Sequence, residues 1–302
     1  MTSFLDGSAI YGSSEEELKT LRRFEGGLLK YQKMINNGKE KELLPALEGQ
    51  QDCRSQSNSK NKKCFHAGDI RVNENVGLTL IHTLWLREHN RIARALQDLN
   101  PHYDDEQLFQ EARRIVGAEL QHIVYNELLS SILGHEKLME YDLASLTDGY
   151  YNGYDIDVNP GIDNAVASQV LSFFYSMIPS RFERYSQRLK MTGTKKMSET
   201  YYNPTDLYDY TKFDEYLMGF VSQNAHNIDV FVSSEMTNNI APEANEGFDL
   251  VAVILQQGRD HGIPGYTTWR KVCNVQPQIN DWDDLQKVFN LSIVKKLSQL
   301  YK

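Results

Sequence analysis

Residues 164–180, NAVASQVLSFFYSMIPS, are the most continuously apolar run between two polar flanks, and Pro179 stops it. Val166, Val170, Phe173 and Met177 share one face at helical spacing, while Leu171, Tyr175 and Ile178 share another. A surface apolar nearly all round predicts a central helix buried on most sides, and with it a mainly α fold. Ser168, Ser172 and Ser176 add a stripe of small side chains along which a neighbour, or a flat ligand, can approach closely. Tyr175 is the polar tip in this setting, and its role is the functional question the segment poses.

The flanking sequence supports the helical reading. Residues 1–12 read as a loop, and Ser13-Ser14-Glu15-Glu16 as a helix start with an acidic first turn. Residues 25–67 lack periodicity, and Gln50 to Lys63 is almost wholly polar, which predicts a long surface excursion. A helix is expected from about Val76 to Leu96, with Leu80, Leu84 and Trp85 on its apolar side. Asp104-Asp105-Glu106 opens a second, carrying Leu108, Ala112, Ile115, Val116 and Ile123 and ending near Gly134. Residues 135–163 are irregular, and residues 181–213, polar and rich in Tyr, read as another surface excursion. Helical pieces resume at Asp214–Asn224 and Asp249–Gln257, interrupted by a tight charged turn at Gly258-Arg259-Asp260-His261-Gly262. Asn280 reads as the N-cap of a last helix with a stripe of Leu285, Val288, Phe289, Leu297 and Leu300. Alternation of period two is almost absent, and neither a repeat nor a linker divides the chain. The expectation is one mainly α domain over residues 1–302 with long surface loops.

Composition bounds the function. Apolar residues make up 40% and charged residues 24% of 302, ordinary values for a globular chain that buries a full core. A net charge of −9 argues against nucleic acid or an anionic membrane as main partner, and no apolar run approaches a transmembrane length. The opening MTSFLDGSAIYG has no charged region followed by an apolar one, so no signal peptide is expected in this chain. The abrupt start, and the end on LSQLYK, read as those of a fragment or truncated product. Cys53 and Cys64 bracket a polar loop that a disulfide would staple, and Cys273 is left over; three reduced thiols are the other reading. Asn290-Leu291-Ser292 is the only glycosylation sequon.

Three stretches carry candidate chemistry. Thr2, Phe4, Asp6 and Ser8 place oxygen-bearing groups at every second position of a Gly-containing loop, which suits a hard cation such as calcium. A helix-entry loop is the plainer reading. Arg71 and Glu74 set a cation and a carboxylate three residues apart, either as a site for an oxygen substrate and a ligand or as a surface ion pair stabilising by about 1 kcal/mol or less. His82 and His89 lie seven apart, roughly 10 Å along a helix, too far for one metal, and read as hydrogen-bonded core histidines.

Taken together, these stretches resemble the animal haem peroxidase family. TSFLDGSAIYGSS is similar to that family's calcium loop, and CFHAGDIRVNENVGLTLIHTLWLREHNRIA to the segment holding its distal arginine. IVGAELQHIVYNELLSSILG is similar to the following helix, and DLVAVILQQGRDHGIPGYTTWRKVC to the family's most distinctive signature. The resemblance implies a helical fold around buried haem in an extracellular, oxidising setting. It implies calcium ligands at Thr2, Phe4, Asp6 and Ser8, the distal arginine at Arg71 and the haem-esterifying carboxylate at Glu74. It also implies a Cys53–Cys64 disulfide, and a partner for Cys273 beyond residue 302.

The departures are as informative. The resemblance places the distal histidine, its glutamine neighbour, a second esterifying carboxylate and a further calcium ligand upstream of residue 1. Without that histidine, general acid–base help worth about 10²–10⁴-fold is lost. The family's Phe-Arg-Phe-Gly-His pattern reads Leu171-Ser172-Phe173-Phe174-Tyr175, so Tyr175 stands where the iron-binding histidine is expected and Ser172 where a propionate-pairing arginine is. The asparagine that orients the histidine falls at Ile254, and a second propionate partner at Gln257. These changes are coherent, since an apolar Ile254 suits a chain with no imidazole N–H to satisfy. The expectation is a secreted, catalytically impaired peroxidase-like protein acting in an extracellular matrix or with matrix proteins. The alternative is a haem enzyme using Tyr175 as a phenolate iron ligand, or part of a longer active chain.

Overall fold

The computed structural model of the chain describes residues 2–48, 63–240 and 247–301. They cluster into two compact units: Met1–Ile162 with Tyr175–Phe248, and Asp163–Phe174 with Asp249–Lys302.

The first unit opens with short helices α1 (Ser8–Tyr11) and α2 (Glu15–Leu21) and the antiparallel hairpin β1 (Gln32–Asn36) and β2 (Lys39–Leu43). Its main helices are α3 (Val76–Leu99) and α4 (Asp105–His122), which packs against α3. The Asn75 side chain accepts from Leu78 N to start α3, and Asp104 and Gln107 form a full capping box on α4. Leu80, Leu86, Leu108, Phe109 and Val116 are buried, each such side chain stabilising by about 1.5–3 kcal/mol. Arg22 ties α4 down by pairing with Asp105 and Glu106 while stacking over the Phe109 ring at 4.1 Å. A π-helical turn (Ile123–Leu128) links α4 to α5 (Leu129–Glu140), inside which Gly134 leaves helical geometry at φ 75°. After α6 (Asn164–Ser168), which belongs to the second unit, come the hairpin β3 (Arg181–Tyr185) and β4 (Met191–Lys196), then α7 (Tyr210–Ser222) and α8 (Ser234–Thr237). Helix α7 lies on β3 through Gly219, where an added Cβ would sit 1.9 Å from the Glu183 carbonyl oxygen.

The second unit holds α6 (Asn164–Ser168), α9 (Leu250–Asp260), α10 (Tyr266–Val272), α11 (Trp282–Leu285) and α12 (Leu291–Leu300). Ile279, Leu285 and Val294 form its small core, with Phe289 and Leu297 packed against them. Asn164 and His261 join α6 to the end of α9 through bonds of 2.7 and 3.1 Å. Among the described residues no helix is long and apolar enough to cross a membrane.

The mainly α expectation holds, but several local expectations do not. Residues 164–180 are not one buried helix. The α-helix ends at Ser168, and residues Val170–Met177 form a tighter 3₁₀ segment. Ser168 Oγ donates back to Asn164 O at 2.7 Å and Ser172 Oγ to Gln169 O at 2.5 Å, the serine back-bonding that disfavours a straight helix. Val170 and Leu171 are 51% and 53% exposed, so the apolar circumference is not matched by burial. Leu84 on α3 and Ile115 and Ile123 further on are also exposed rather than inward. The two surface excursions both contain hairpins and core residues, Leu43, Leu44 and Phe65 in one and Phe182, Tyr201, Leu207 and Phe213 in the other. The expected turn at Gly258 begins later, since α9 runs on through Asp260. Asn280 caps nothing: Asp281 caps α11 and Asn290 precedes α12.

Candidate functional site

The N-terminal loop closes on itself. Thr2 Oγ1 donates to Asp6 Oδ2 at 2.8 Å and lies 3.4 Å from Phe4 O, while Thr2 N donates to Ser8 Oγ at 3.1 Å. Ser8 N in turn donates to Asp6 Oδ1 at 2.9 Å. All four expected residues are therefore brought together at the start of α1, where Gly7 at φ 73° supplies the bend. Burial raises the Asp6 carboxyl and hydrogen bonds from Thr2 and Ser8 lower it, leaving it below its ordinary value and thus a carboxylate. Among the described residues no three or more His, Cys, Asp and Glu side chains are grouped to hold a metal.

Arg71 and Glu74 frame the turn into α3. Asp69 caps the 3₁₀ turn Ile70–Asn73, and its carboxylate grips the arginine: Oδ1 accepts from Arg71 N at 2.9 Å and Nε at 3.0 Å, and Oδ2 from Nη2 at 2.7 Å. Arg71 thus pairs with Asp69, two residues back, rather than with Glu74. Sequence reasoning set the wrong carboxylate against it, although the Asp-Ile-Arg spacing held the signal. The Asp69 side chain is 9% exposed and that of Arg71 54%, so the guanidinium reaches outward from a buried anchor. The Asp69 hydrogen bond raises Arg71 above its ordinary value, with smaller contributions from Glu74 and Tyr175. Burial raises the Glu74 carboxyl above its ordinary value, with Arg71 opposing the shift and Asp69 adding to it.

The histidines separate cleanly. His89 is fully buried, with Nδ1 2.9 Å from Tyr11 Oη and Nε2 2.9 Å from Gly27 O, which assigns the ring proton to Nε2. Burial pushes it down to about 4. It is the core histidine expected. His82 is half-buried on α3, and burial lowers it while Asp69 opposes the shift.

Tyr175 is half-buried in the 3₁₀ segment rather than packed in a helical core. Its neighbours hold the segment in place, Met177 O accepting from His226 N at 2.9 Å and Ser176 Oγ from Asp229 N at 3.3 Å. In the second unit the Ser172 hydroxyl donates to the Gln169 carbonyl and Phe174 stacks on Phe173 at 4.1 Å. Ile254 presents its carbonyl to Gln169 Nε2 at 2.8 Å, and its side chain offers no acceptor. Cys64 is buried and its sulfur disulfide-bonded, while Cys53 lies outside the described residues, and Cys273 is free and exposed.

Haem, the cofactor implied by the resemblance, meets residues of two kinds. Glu74, a half-buried carboxyl beside Arg71, is the group the resemblance matches to a covalent tether. The matched proximal positions do not fit the family's mode: an imidazole is replaced by a phenol, its orienting amide by Ile254, and two cations by Ser172 and Gln257. Two propionates would be left without the cations that offset their burial.

The fold and these segments define a helical peroxidase-type domain. A family model described as animal haem peroxidase matches residues 1–302, and the chain belongs to that family. It is 34% identical over 303 residues to chorion peroxidase of Drosophila melanogaster, covering all of this chain and 36% of that protein. It is 35% identical over 309 residues to the peroxidasin homolog of Homo sapiens, again covering all of this chain but 20% of the relative. Among solved structures, peroxidase A from Dictyostelium discoideum superposes with a TM-score of 0.82 at 30% identity, covering 99% of this chain and 55% of that one. The fatty acid alpha-dioxygenase of Arabidopsis thaliana shares the fold, with a TM-score of 0.74 at 17% identity. The chain spans only part of the length of each of these relatives.

Proposed function

We propose that this chain is a peroxidase-family domain with impaired haem chemistry, whose scaffold serves in an extracellular matrix as a structural or interaction component. The observation that carries this reading is Tyr175 in place of the iron-binding histidine, with Ser172, Phe174, Ile254 and Gln257 changed alongside it. Tyr175, Ile254, Ser172 and Gln257 each remove something haem binding needs, either an imidazole, its hydrogen-bond partner or a propionate counter-charge, and Phe174 puts a large ring where the family pattern has glycine. The Cys64 disulfide and a relative named for the chorion support an oxidising, extracellular setting with matrix proteins as partners. The loop of Thr2, Phe4, Asp6 and Ser8 is proposed as a calcium site, completed by whatever further oxygen ligands the whole protein supplies.

A second reading has one observation in its favour. Tyr175 itself stands at the position matched to the family's iron ligand, and a tyrosine phenolate is a known iron ligand. Haem titration into the purified protein separates the two. Under the first reading, wild type and Tyr175→Phe give the same spectrum. Loss of phenolate-to-iron charge-transfer bands in Tyr175→Phe establishes the second reading and ends the first.

A further inference from the structure

We propose that Asn290 is an acceptor for an N-linked glycan, a role that rests on the extracellular setting proposed above. Asn290-Leu291-Ser292 is a complete sequon, whereas Asn203-Pro204-Thr205 is barred by its proline. The structure presents the sequon in a form open to modification. Asn290 and Ser292 are both exposed at the start of α12, a helix of 10 residues. Asn290 is extended, with φ −61° and ψ 143°, and its side chain makes no cap hydrogen bond.

That last point separates Asn290 from most N-caps in the chain. Asn75, Asp104, Asp163, Asp209, Asp249 and Asp281 all commit their side chains to first-turn N–H groups. At α12 no side chain takes that part, and Ile293 N and Val294 N donate to the backbone carbonyl Asn290 O at 2.9 and 3.1 Å. The Asn290 amide is thus free to carry a substituent without uncapping the helix. The neighbouring anchors point inward, Phe289 onto the small core and Val294 into it, so the acceptor faces away from that core. Leu291, 50% exposed beside it, is apolar surface that a glycan would shield.

The transfer is redox-neutral. The Asn290 amide nitrogen bonds to the anomeric carbon of an oligosaccharide carried on a lipid diphosphate. The bond from that carbon to the diphosphate oxygen breaks, and one amide proton leaves with the lipid diphosphate.

The test is expression of the 302-residue chain in mammalian cells behind a cleavable leader, followed by peptide N-glycosidase treatment and mass spectrometry. The expected result is one enzyme-released glycan with Asp left in place of Asn290. It is absent from Asn290→Gln and from Ser292→Ala and kept by Ser292→Thr, with unfolding temperatures matching the parent. Chain recovered from the secretory route with an unmodified Asn290 overturns the acceptor assignment. Because the leader is supplied, that outcome leaves the extracellular reading untouched. Endogenous protein found only in the cytosol overturns the extracellular reading and, with it, modification of the natural protein.

Discussion

His89 offers a direct test of how the first unit is held together. Its ring bridges Tyr11 on α1 and the Gly27 carbonyl, and burial lowers its pKa from 6.5 to about 4. In the folded chain the ring stays neutral through that window, while in the unfolded chain it is free to take up a proton. The unfolded state therefore binds more protons between the two values, and stability falls as pH falls through them. A tenfold change in proton affinity is worth about 1.4 kcal/mol, so His89 alone costs the fold about 3 kcal/mol between neutrality and pH ~4. Substituting His89→Gln keeps a donor and an acceptor but removes the titration. At neutral pH the variant is expected to be less stable by about 1–2 kcal/mol through poorer ring packing. As pH falls the difference should shift by about 3 kcal/mol and change sign, leaving the variant the more stable by about 1–2 kcal/mol near pH ~4, because only the parent loses stability to protonation of this ring in the unfolded chain. Burial lowers His66 and His82 as well, but both remain in the variant and cancel in the difference. Urea unfolding of the pair at several pH values is the assay. Parallel stability curves from pH ~7 to ~4 would refute the assignment of His89 as a neutral core bridge.

Three further outcomes are expected. Thermal unfolding should shift upward in millimolar-range calcium, and Asp6→Ala should abolish the shift; an equal response in both proteins removes the N-terminal loop from consideration as the cation site. Gly219→Ala should cost at least about 3 kcal/mol in denaturant unfolding, because the new Cβ meets a backbone oxygen at 1.9 Å rather than a side chain that can move; a loss below about 1 kcal/mol would show that α7 is not seated on β3 as described. Asp69→Ala removes both the cap of the Ile70–Asn73 turn and the fork on Arg71, and an unfolding loss of about 1–3 kcal/mol is expected. Asp69→Asn, which keeps an acceptor for Arg71 N, should recover part of it.

Much of the fold was legible because helices announce themselves twice, by apolar spacing and by capping residues. Helix α3 followed from its apolar spacing after Val76 and α4 from Asp104, whose side chain bonds to a first-turn N–H group as an N-cap does; Asn75 does the same for α3. The hairpins were missed for a physical reason. Strands of five residues with one buried position, as in β1, leave too little alternation to detect. The Asn37-Gly38 dipeptide, with φ 49° and 75°, was the available sign of a tight hairpin turn. Residues 164–180 misled because hydrophobicity was taken for burial, while the serines that bond back to the chain decide the local geometry. At the candidate site, residue spacing could place Arg71 near a carboxylate but could not choose Asp69 over Glu74, a choice made by the turn that points both groups the same way. Departures at Ser172, Tyr175 and Ile254 were visible only against the family pattern, since nothing in their spacing marks what stands elsewhere at those positions.

The central claim is that the chain keeps the peroxidase scaffold without the means to hold haem as its family does. Haem titration of the purified protein, followed by addition of peroxide and a phenolic substrate, tests it most directly. Weak, non-saturating uptake is predicted, with phenol oxidation no faster than free haem gives. A sharp Soret band at one haem per chain, with peroxide-dependent turnover well above that of free haem, would contradict it.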